Sequence, residues 1–258
     1  MPAEDPLVKQ ALAALEREPR ANPHHSRLTL TRIEDGTLVL HGEVASIEEK
    51  RVCVERVRAV EGVARIIDQL RVEPTVRTGD GAIRDGVFRR LCEEPVFLRT
   101  AVSCRAQGDV DTVARSPENP EGTIYGSVHD GVIQLLGHVM SLSHRRLAGV
   151  LAWWTPGCRD VDNALKIRPP EIDNNDEITD AIKLVLDKDP LVHADQIAVR
   201  VRHGNVELRG VAATREEKRM AAEDAWYVDG VRDVANEIEV YRTPTSDRPM
   251  PHSPLPFD

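Results

Sequence analysis

One spacing of glycine residues occurs three times along the chain without shifting by a residue. In each set the second glycine lies six residues after the first, and the third lies twenty residues after the second. The sets are Gly36, Gly42 and Gly62; Gly131, Gly137 and Gly157; and Gly204, Gly210 and Gly230. A period this regular predicts one supersecondary unit copied three times, so function is to be sought in the unit and in the differences between copies.

The residues around the first two glycines of each set predict a β-hairpin. Apolar and polar residues alternate after the first glycine, as at Leu38 and Leu40 in copy one and at Val206 and Leu208 in copy three. This alternation is typical of a strand with one buried face, and the first glycine supplies the backbone freedom of the turn.

A helix and a last strand are predicted after the hairpin. Ser46 and Thr214 each lie three residues before a glutamate, Glu49 or Glu217, which is the capping-box pattern at the start of a helix, and Ser141 has the equivalent position in copy two. The third glycine is predicted to cap the end of that helix. With an amphipathic helix before each hairpin, the fold class is α+β: three tandem αββαβ modules, each a small mixed sheet covered on one face by two helices.

The repeat predicts module boundaries at residues 1–74, 79–169 and 171–243. The segment from the leading helix to the first glycine spans 40 residues in copy two (Leu91 to Gly131) but only 18 in copy three (Leu186 to Gly204). This difference predicts an insertion in copy two near residues 99–122. The last residues, 244–258, contain five prolines and no periodicity, which predicts a disordered tail.

The pattern of copy three resembles the BON domain, a family named for bacterial osmotic-shock and nodulation proteins. The resemblance rests on the run from a glycine-valine strand through a basic helix to the final strand, with Val228, Gly230, Val231, Val234, Asn236, Ile238 and Val240. Copy one has Asp68 in place of the asparagine, and copy two has Thr155 and Cys158 in place of valines. The resemblance implies binding to phospholipid surfaces, or a role as an interaction module, without catalysis.

The residues themselves also argue against an enzyme. The sequence contains no HExxH motif, no glycine-rich phosphate loop and no nucleophile elbow, so we expect no catalytic residue, cofactor or metal. Catalysis would be most suspected at Asp109 and Asp111 in the insertion, although an ordinary surface loop explains both.

The four cysteines do not predict a disulfide framework. Cys53 and Cys158 align with small apolar residues of the other copies and are expected to be buried thiols. Cys92 and Cys104 have no histidine or cysteine partner at zinc spacing. No apolar run approaches the roughly 18 residues of a membrane-spanning helix, and the first residues are acidic, so we expect a cytoplasmic chain that is at most peripheral to a membrane.

Two basic residues occur at the same position of the second helix in every copy: Lys50-Arg51, Arg145-Arg146 and Lys218-Arg219. They could present cations to lipid headgroups or to an acidic partner. Alternatively, they form ion pairs with glutamates on a solvated helix face. Copy two lacks these glutamates, so its arginines are the least compensated.

Two adjacent aromatic residues, Trp153-Trp154, end the same helix of copy two and align with Trp226-Tyr227 in copy three. Indole rings there would suit a membrane interface. The alternative is that one ring of each pair fills the core while the other covers a neighbouring repeat.

The balance of charge separates the three copies. Lys and Arg number 11 against 13 Asp and Glu in residues 1–74, 11 against 11 in residues 79–169, and 10 against 17 in residues 171–243. An acidic copy three repels anionic lipid and nucleic acid. We therefore predict a non-enzymatic binding or scaffold protein that contacts phospholipid through Arg145, Arg146, Trp153 and Trp154. Docking to another protein, or self-assembly into a homo-oligomer, is the alternative.

Overall fold

A computed structural model describes residues 5–21, 27–33, 36–105 and 111–241. The chain divides into two compact units, residues 1–76 and residues 77–258. The predicted tail, 244–258, lies outside the described residues.

The first unit holds one α+β module. Its elements are α1 (Pro6–Glu16), β1 (Thr29–Arg32), β2 (Thr37–Val44), α2 (Ile47–Arg58) and β3 (Arg65–Val72). The strands form one sheet in the order β1-β2-β3, with β1 antiparallel and β3 parallel to the central β2. Both helices pack against the sheet and each other, and they bury alternate strand residues such as Leu38, Leu40 and Leu70.

The second unit holds two further modules. The second module contains α3 (Asp80–Glu93), β4 (Thr100–Arg105), β5 (Asp111–Arg115), β6 (Gly122–His129), β7 (Val132–Val139), α4 (Leu142–Trp153), β8 (Asp160–Asn163) and β9 (Lys166–Ile167). The third contains α5 (Asn175–Lys188), β10 (Ile197–Arg202), β11 (Asn205–Ala212), α6 (Arg215–Tyr227) and β12 (Asp233–Val240). The third sheet repeats the order and directions of the first. The predicted fold class is therefore confirmed.

The insertion of the second module adds strands to its sheet. The hairpin β6-β7 and the final strands β8 and β9 match the other modules, but β4 pairs parallel to β6 and β5 pairs antiparallel to β4. The result is a six-stranded sheet with β5 as an outer strand.

The nine repeated glycines all have positive φ, between 75° and 144°. The second glycine of each set shows why no side chain is tolerated. A Cβ on Gly42, Gly137 or Gly210 would lie 2.4, 2.1 or 1.9 Å from a backbone carbonyl oxygen of a residue in the preceding strand or within two residues of its start. The hairpin therefore requires glycine both for its backbone conformation and for the close approach of the chain.

The third glycine does not cap its helix, so that part of the sequence interpretation is wrong. α2 ends at Arg58 and α6 at Tyr227, four and three residues before Gly62 and Gly230. The glycine lies instead in the following turn, where a Cβ on Gly230 would lie 3.0 Å from Ile178 of α5. Its role is to let the leading helix of the module pack closely.

Within the second unit, the two modules pack together through their helices. α4 of the second module contacts α5 and α6 of the third. Leu184 of α5 also packs against the apolar core of the second module.

Candidate functional site

The four residues predicted to contact a membrane or partner lie at one helix of the second module. Arg145, Arg146 and Trp153 belong to α4, and Trp154 is its C-cap. The structure turns all four side chains toward the third module, so none of them forms an open basic and aromatic surface.

Arg146 is the most deeply buried of the four, with 1% of its surface exposed. Its Nε donates to the backbone oxygen of Asp229 at 2.9 Å, and one terminal nitrogen donates to both carboxylate oxygens of Asp173 at 2.7 and 2.8 Å. Asp173 lies just before α5, and Asp229 lies just after α6. One guanidinium of the second module therefore joins the start of α5 to the end of α6.

Arg145 makes a second link to the same segment. Its guanidinium forms an ion pair with the carboxylate of Asp229, and its side chain is 27% exposed. The two arginines bind different groups of one aspartate, which fixes the turn after α6 against α4.

The aromatic residues continue this interface along the helix. The ring of Trp153 stacks on Tyr227 with centroids 5.6 Å apart and planes at 19°. Trp154 donates its indole N–H to the carboxyl of Asp224 at 2.9 Å. Trp226 of α6 is also buried, with 2% of its surface exposed. Trp153 and Trp154 therefore contact the third module while also packing against the core of their own module.

The equivalent basic residues have a different role in each module. Arg219 forms ion pairs with Glu216 and Glu223 on the same helix, as expected for a solvated face. Lys50 is buried and bonds Asp68 at 2.9 Å and the backbone oxygen of Leu70 at 2.7 Å. The repeated basic pair is thus not one repeated binding site.

An acidic position that the sequence interpretation missed recurs in all three modules. Glu18, Glu94 and Asp189 each lie three residues after the last leucine of the leading helix, and each accepts a hydrogen bond from the backbone N–H two residues later. All three are buried, with 6 to 9% of their surface exposed. Their fixed distance from the leucine is the signal that could have identified them.

The partner of this acid differs from module to module. In the first module Arg56 bonds Glu18 at 2.6 Å. In the second, Lys188 of the third module bonds Glu94 at 2.8 Å. In the third module, the position of Arg56, six residues before the third glycine, is occupied by Asp224. The carboxyl of Asp189 therefore faces another carboxyl.

Asp224 has no exposed surface, and burial raises its pKa to about 8, with a further increase from Asp189. The hydrogen bond from Trp154 acts in the opposite direction because it stabilises the charged form. A buried acid pair of this kind holds a proton at neutral pH.

The cysteines are free thiols, as predicted. Cys53 and Cys158 are buried, and burial raises the pKa of the Cys53 thiol to about 12 and that of the Cys158 thiol well above its usual range. Neither is suited to act as a nucleophile near neutral pH.

Among the described residues, one group of side chains brings metal-ligating atoms within 4.8 Å of one another: Asp80, His129 and Asp130. Both carboxylate oxygens of Asp80 already accept backbone N–H groups, from Asp130 at 3.0 Å and from Gly131 at 2.9 Å. The carboxylate is thus used to hold the β6-β7 turn against α3. Of the two aspartates suspected of catalysis, Asp109 lies outside the described residues and Asp111 begins β5.

The family model of the BON domain matches residues 5–74, 111–169 and 174–241. The chain belongs to the BON domain family. The second match begins at β5, so α3 and β4 are the parts of the second module that lie outside it. This BON-family chain carries three copies of the domain, as the glycine spacing predicted.

No curated protein sequence is significantly similar to the chain. Among solved structures, the C-terminal domain of CdsD, the structural protein of the type III secretion system of Chlamydia trachomatis, is 16% identical. The aligned region covers 92% of this chain and 98% of the CdsD chain, with a TM-score of 0.24. A second CdsD structure is 17% identical, covers 91% and 92%, and has the same TM-score. At these scores the likeness carries no functional argument.

The helices in the described ranges are each too short or too polar to cross a membrane.

Proposed function

We propose that this BON-family chain is a non-enzymatic scaffold that binds another protein, and that its second and third modules act as one body. The observation that carries the proposal is the engagement of Arg145, Arg146, Trp153 and Trp154 by the third module. The residue types that favoured a lipid headgroup contact are used to hold two BON domains together, which supports a scaffold and weakens the case for phospholipid.

A feature of the insertion favours a protein as the partner. β5 is an outer strand of the six-stranded sheet, and the side chain of Val113 on it is 64% exposed. An outer strand can pair with an extended segment of another chain through its backbone N–H and C=O groups. Lipid headgroups gain nothing from such an edge.

Vesicle co-sedimentation tests the proposal against the phospholipid alternative. The intact chain is mixed with phosphatidylcholine vesicles, with and without phosphatidylglycerol, at low and high salt. We expect it to remain in the supernatant in every case. The proposal fails if the chain pellets with the anionic vesicles in a salt-sensitive way, and if Arg145→Ala abolishes this binding while Lys218→Ala, the equivalent change in the third module, does not.

Self-assembly is the form of protein contact that can be tested with the chain alone. If β5 mediates it, the sedimentation coefficient should rise with protein concentration, and Val113→Lys should reduce the rise because a charged edge opposes strand pairing. Leu191→Lys is the matched control, since Leu191 is 61% exposed but lies in a turn after α5. A monomeric chain that also binds anionic vesicles would reject the proposed protein-binding role.

A further inference from the structure

We propose that the docking of the second module on the third is controlled by one proton shared between Asp189 and Asp224. The proposal concerns the contact between α4 and α6, and it does not depend on what the chain binds. It starts from the position of the acid pair, which lies where the indole of Trp154 crosses from one module to the other.

The repeat itself shows that the acid pair is unusual. The acid at the end of the leading helix faces Arg56 in the first module and receives Lys188 in the second. Each of those carboxylates can be charged because a cation lies beside it. In the third module, the residue in the place of Arg56 is Asp224, so the two carboxyls can hydrogen-bond only when one of them is protonated.

The hydrogen bonds of Asp224 support the same conclusion. Its Oδ1 accepts from Trp154 Nε1 at 2.9 Å, but no donor among the described residues reaches the buried Oδ2. The neighbouring group is the carboxyl of Asp189, whose Oδ1 accepts the backbone N–H of Leu191 at 2.8 Å. A proton between the two acids would satisfy both remaining oxygens, and its loss would leave like charges in contact.

The charged groups on the surrounding elements do not compensate such a charge. On α6, Glu223 adds negative charge, although it accepts from Tyr227 and pairs with Arg219. At the end of α5, Lys188 is bonded to Glu94. On α4, Arg145 and Arg146 bind Asp229 and Asp173. The strands β11 and β12 beneath α6 contribute buried apolar side chains such as Leu208 and Ile238.

A charged Asp224 would be hydrated at the lowest free-energy cost if the group that covers it moved away. That group is Trp154, because its indole bonds the carboxyl directly from the other module. Deprotonation should therefore loosen α4 from α6 rather than unfold the sheet of the third module.

The direction of the pH effect follows from burial. The pKa of Asp224 lies above its ordinary value, so the native state holds a proton that the unfolded chain has released. The stabilisation is fully present in acid, below the ordinary pKa of an aspartate, and is lost as pH rises to about 8. Docking is thus firmest in acid, weakens progressively toward about pH 8 and is weakest in alkaline solution.

The test uses the indole N–H resonances of the full chain labelled with ¹⁵N-tryptophan. The three tryptophans give three signals, assigned with Trp→Phe variants. As pH rises from about 6 to about 9.5, the signals of Trp153 and Trp154 should shift together. In denaturant titrations, the unfolding constant of the native chain relative to that of Asp224→Asn should rise roughly tenfold per pH unit up to about pH 8, as expected for one proton, and should level off above it.

Two variants separate the proton from a merely structural effect. Asp224→Asn keeps an acceptor for the indole but cannot ionise, so its Trp153 and Trp154 signals should not titrate. Asp189→Asn still accepts the Leu191 N–H and gains a donor for a charged Asp224, so it should remain docked through the alkaline range. A Trp154 signal that does not respond to pH overturns the proposal. So does a Trp154 titration with an unchanged Trp153 signal, because the proton would then not control docking.

Discussion

At the scale of single residues, one position in the last strand of each module is asparagine in two modules and aspartate in the other. Asn163 and Asn236 donate their side-chain amides to the backbone oxygens of Arg145 and Lys218, both at 2.7 Å. Each also accepts a backbone N–H two residues later. The side chain thereby ties the last strand to the second helix of its module.

In the first module an aspartate ties the last strand to the second helix. Asp68 keeps the acceptor role, receiving the N–H of Leu70 at 2.9 Å, but its carboxylate has no N–H to donate to the helix. Instead it binds the buried ammonium of Lys50 at 2.9 Å. The departure from the family pattern at Asp68 is therefore compensated by the residue type at Lys50.

Because Lys50 and Asp68 form an ion pair, we expect that restoring the asparagine of the family pattern at position 68 is destabilising. Asp68→Asn should lower the stability of the first unit by about 1 to 3 kcal/mol, because the buried Lys50 loses its counter-charge. Equilibrium denaturation measures the loss. As a matched control, Lys50→Met combined with Asp68→Asn should recover most of it. A single variant as stable as the native chain would contradict this account.

The glycine at the strand end gives a second prediction. Gly210→Ala should cost about 3 kcal/mol, because the new Cβ would lie 1.9 Å from the oxygen of Gln196 at a φ of 139°. Gly81→Ala, in α3, is the control: its Cβ has no contact closer than 4.0 Å and alanine favours a helix. Thermal unfolding should separate the two, and an equal effect of both changes would show that the close approach is unimportant.

At the scale of elements, the sequence predicts the order of helices and strands but not their neighbours. The capping boxes begin α2 and α6 as expected: Ser46 accepts from the N–H of Glu49 at 3.1 Å, and Thr214 from that of Glu217 at 3.0 Å. Local hydrogen bonds and apolar periodicity set these features, so a single sequence contains them. The repeat predicts an insertion near residues 99–122, but the pairing of its strands depends on contacts distant in sequence, such as that of Thr100 with Gly122.

The role of Arg145 and Arg146 could not be read from the sequence for the same reason. In copy two these arginines lack a glutamate at i,i+3 or i,i+4 on their own helix, and the sequence shows only this local absence. Their actual partners, Asp173 and Asp229, are 27 and 84 residues away along the chain. An uncompensated cation on a helix predicts a partner, and only the packing of the modules identifies that partner as another domain of the same chain.

The equivalent arginines of α4 and α6 allow this to be tested. Arg146→Ala should destabilise the second unit by about 2 to 4 kcal/mol, because it removes a buried guanidinium that pairs with Asp173 and bonds the backbone of Asp229. Arg219→Ala, whose side chain is 57% exposed, should cost less than about 1 kcal/mol. Urea denaturation of both variants gives the comparison. If both changes had the same small effect, Arg146 would not be holding the modules together.

At the scale of the whole molecule, the unequal distribution of charge acquires a structural role. The excess of acidic residues in the third module was expected only to repel anionic surfaces. Two of these acids, Asp173 and Asp229, bind the arginines of the second module, and a third, Asp224, accepts the indole of Trp154. Part of the acidity of the third module is therefore neutralised locally within the second unit, by arginines at Asp173 and Asp229 and by the raised pKa of Asp224.

The division into units predicts how the chain unfolds. The second and third modules share an interface of ion pairs and stacked rings, so they should melt in one transition, whereas the first unit has its own core and should melt in another. Two apolar truncations assign the transitions. Leu70→Ala should lower only the first unit's stability, by about 2 to 5 kcal/mol, and Val231→Ala only the second unit's, by about 1 to 2 kcal/mol. Differential scanning calorimetry of the full chain measures both. If Val231→Ala shifted the melting of the third module and left the second unchanged, the two modules would be separate folding units, and the interface built on Arg146 and Asp224 would contribute little to holding them together.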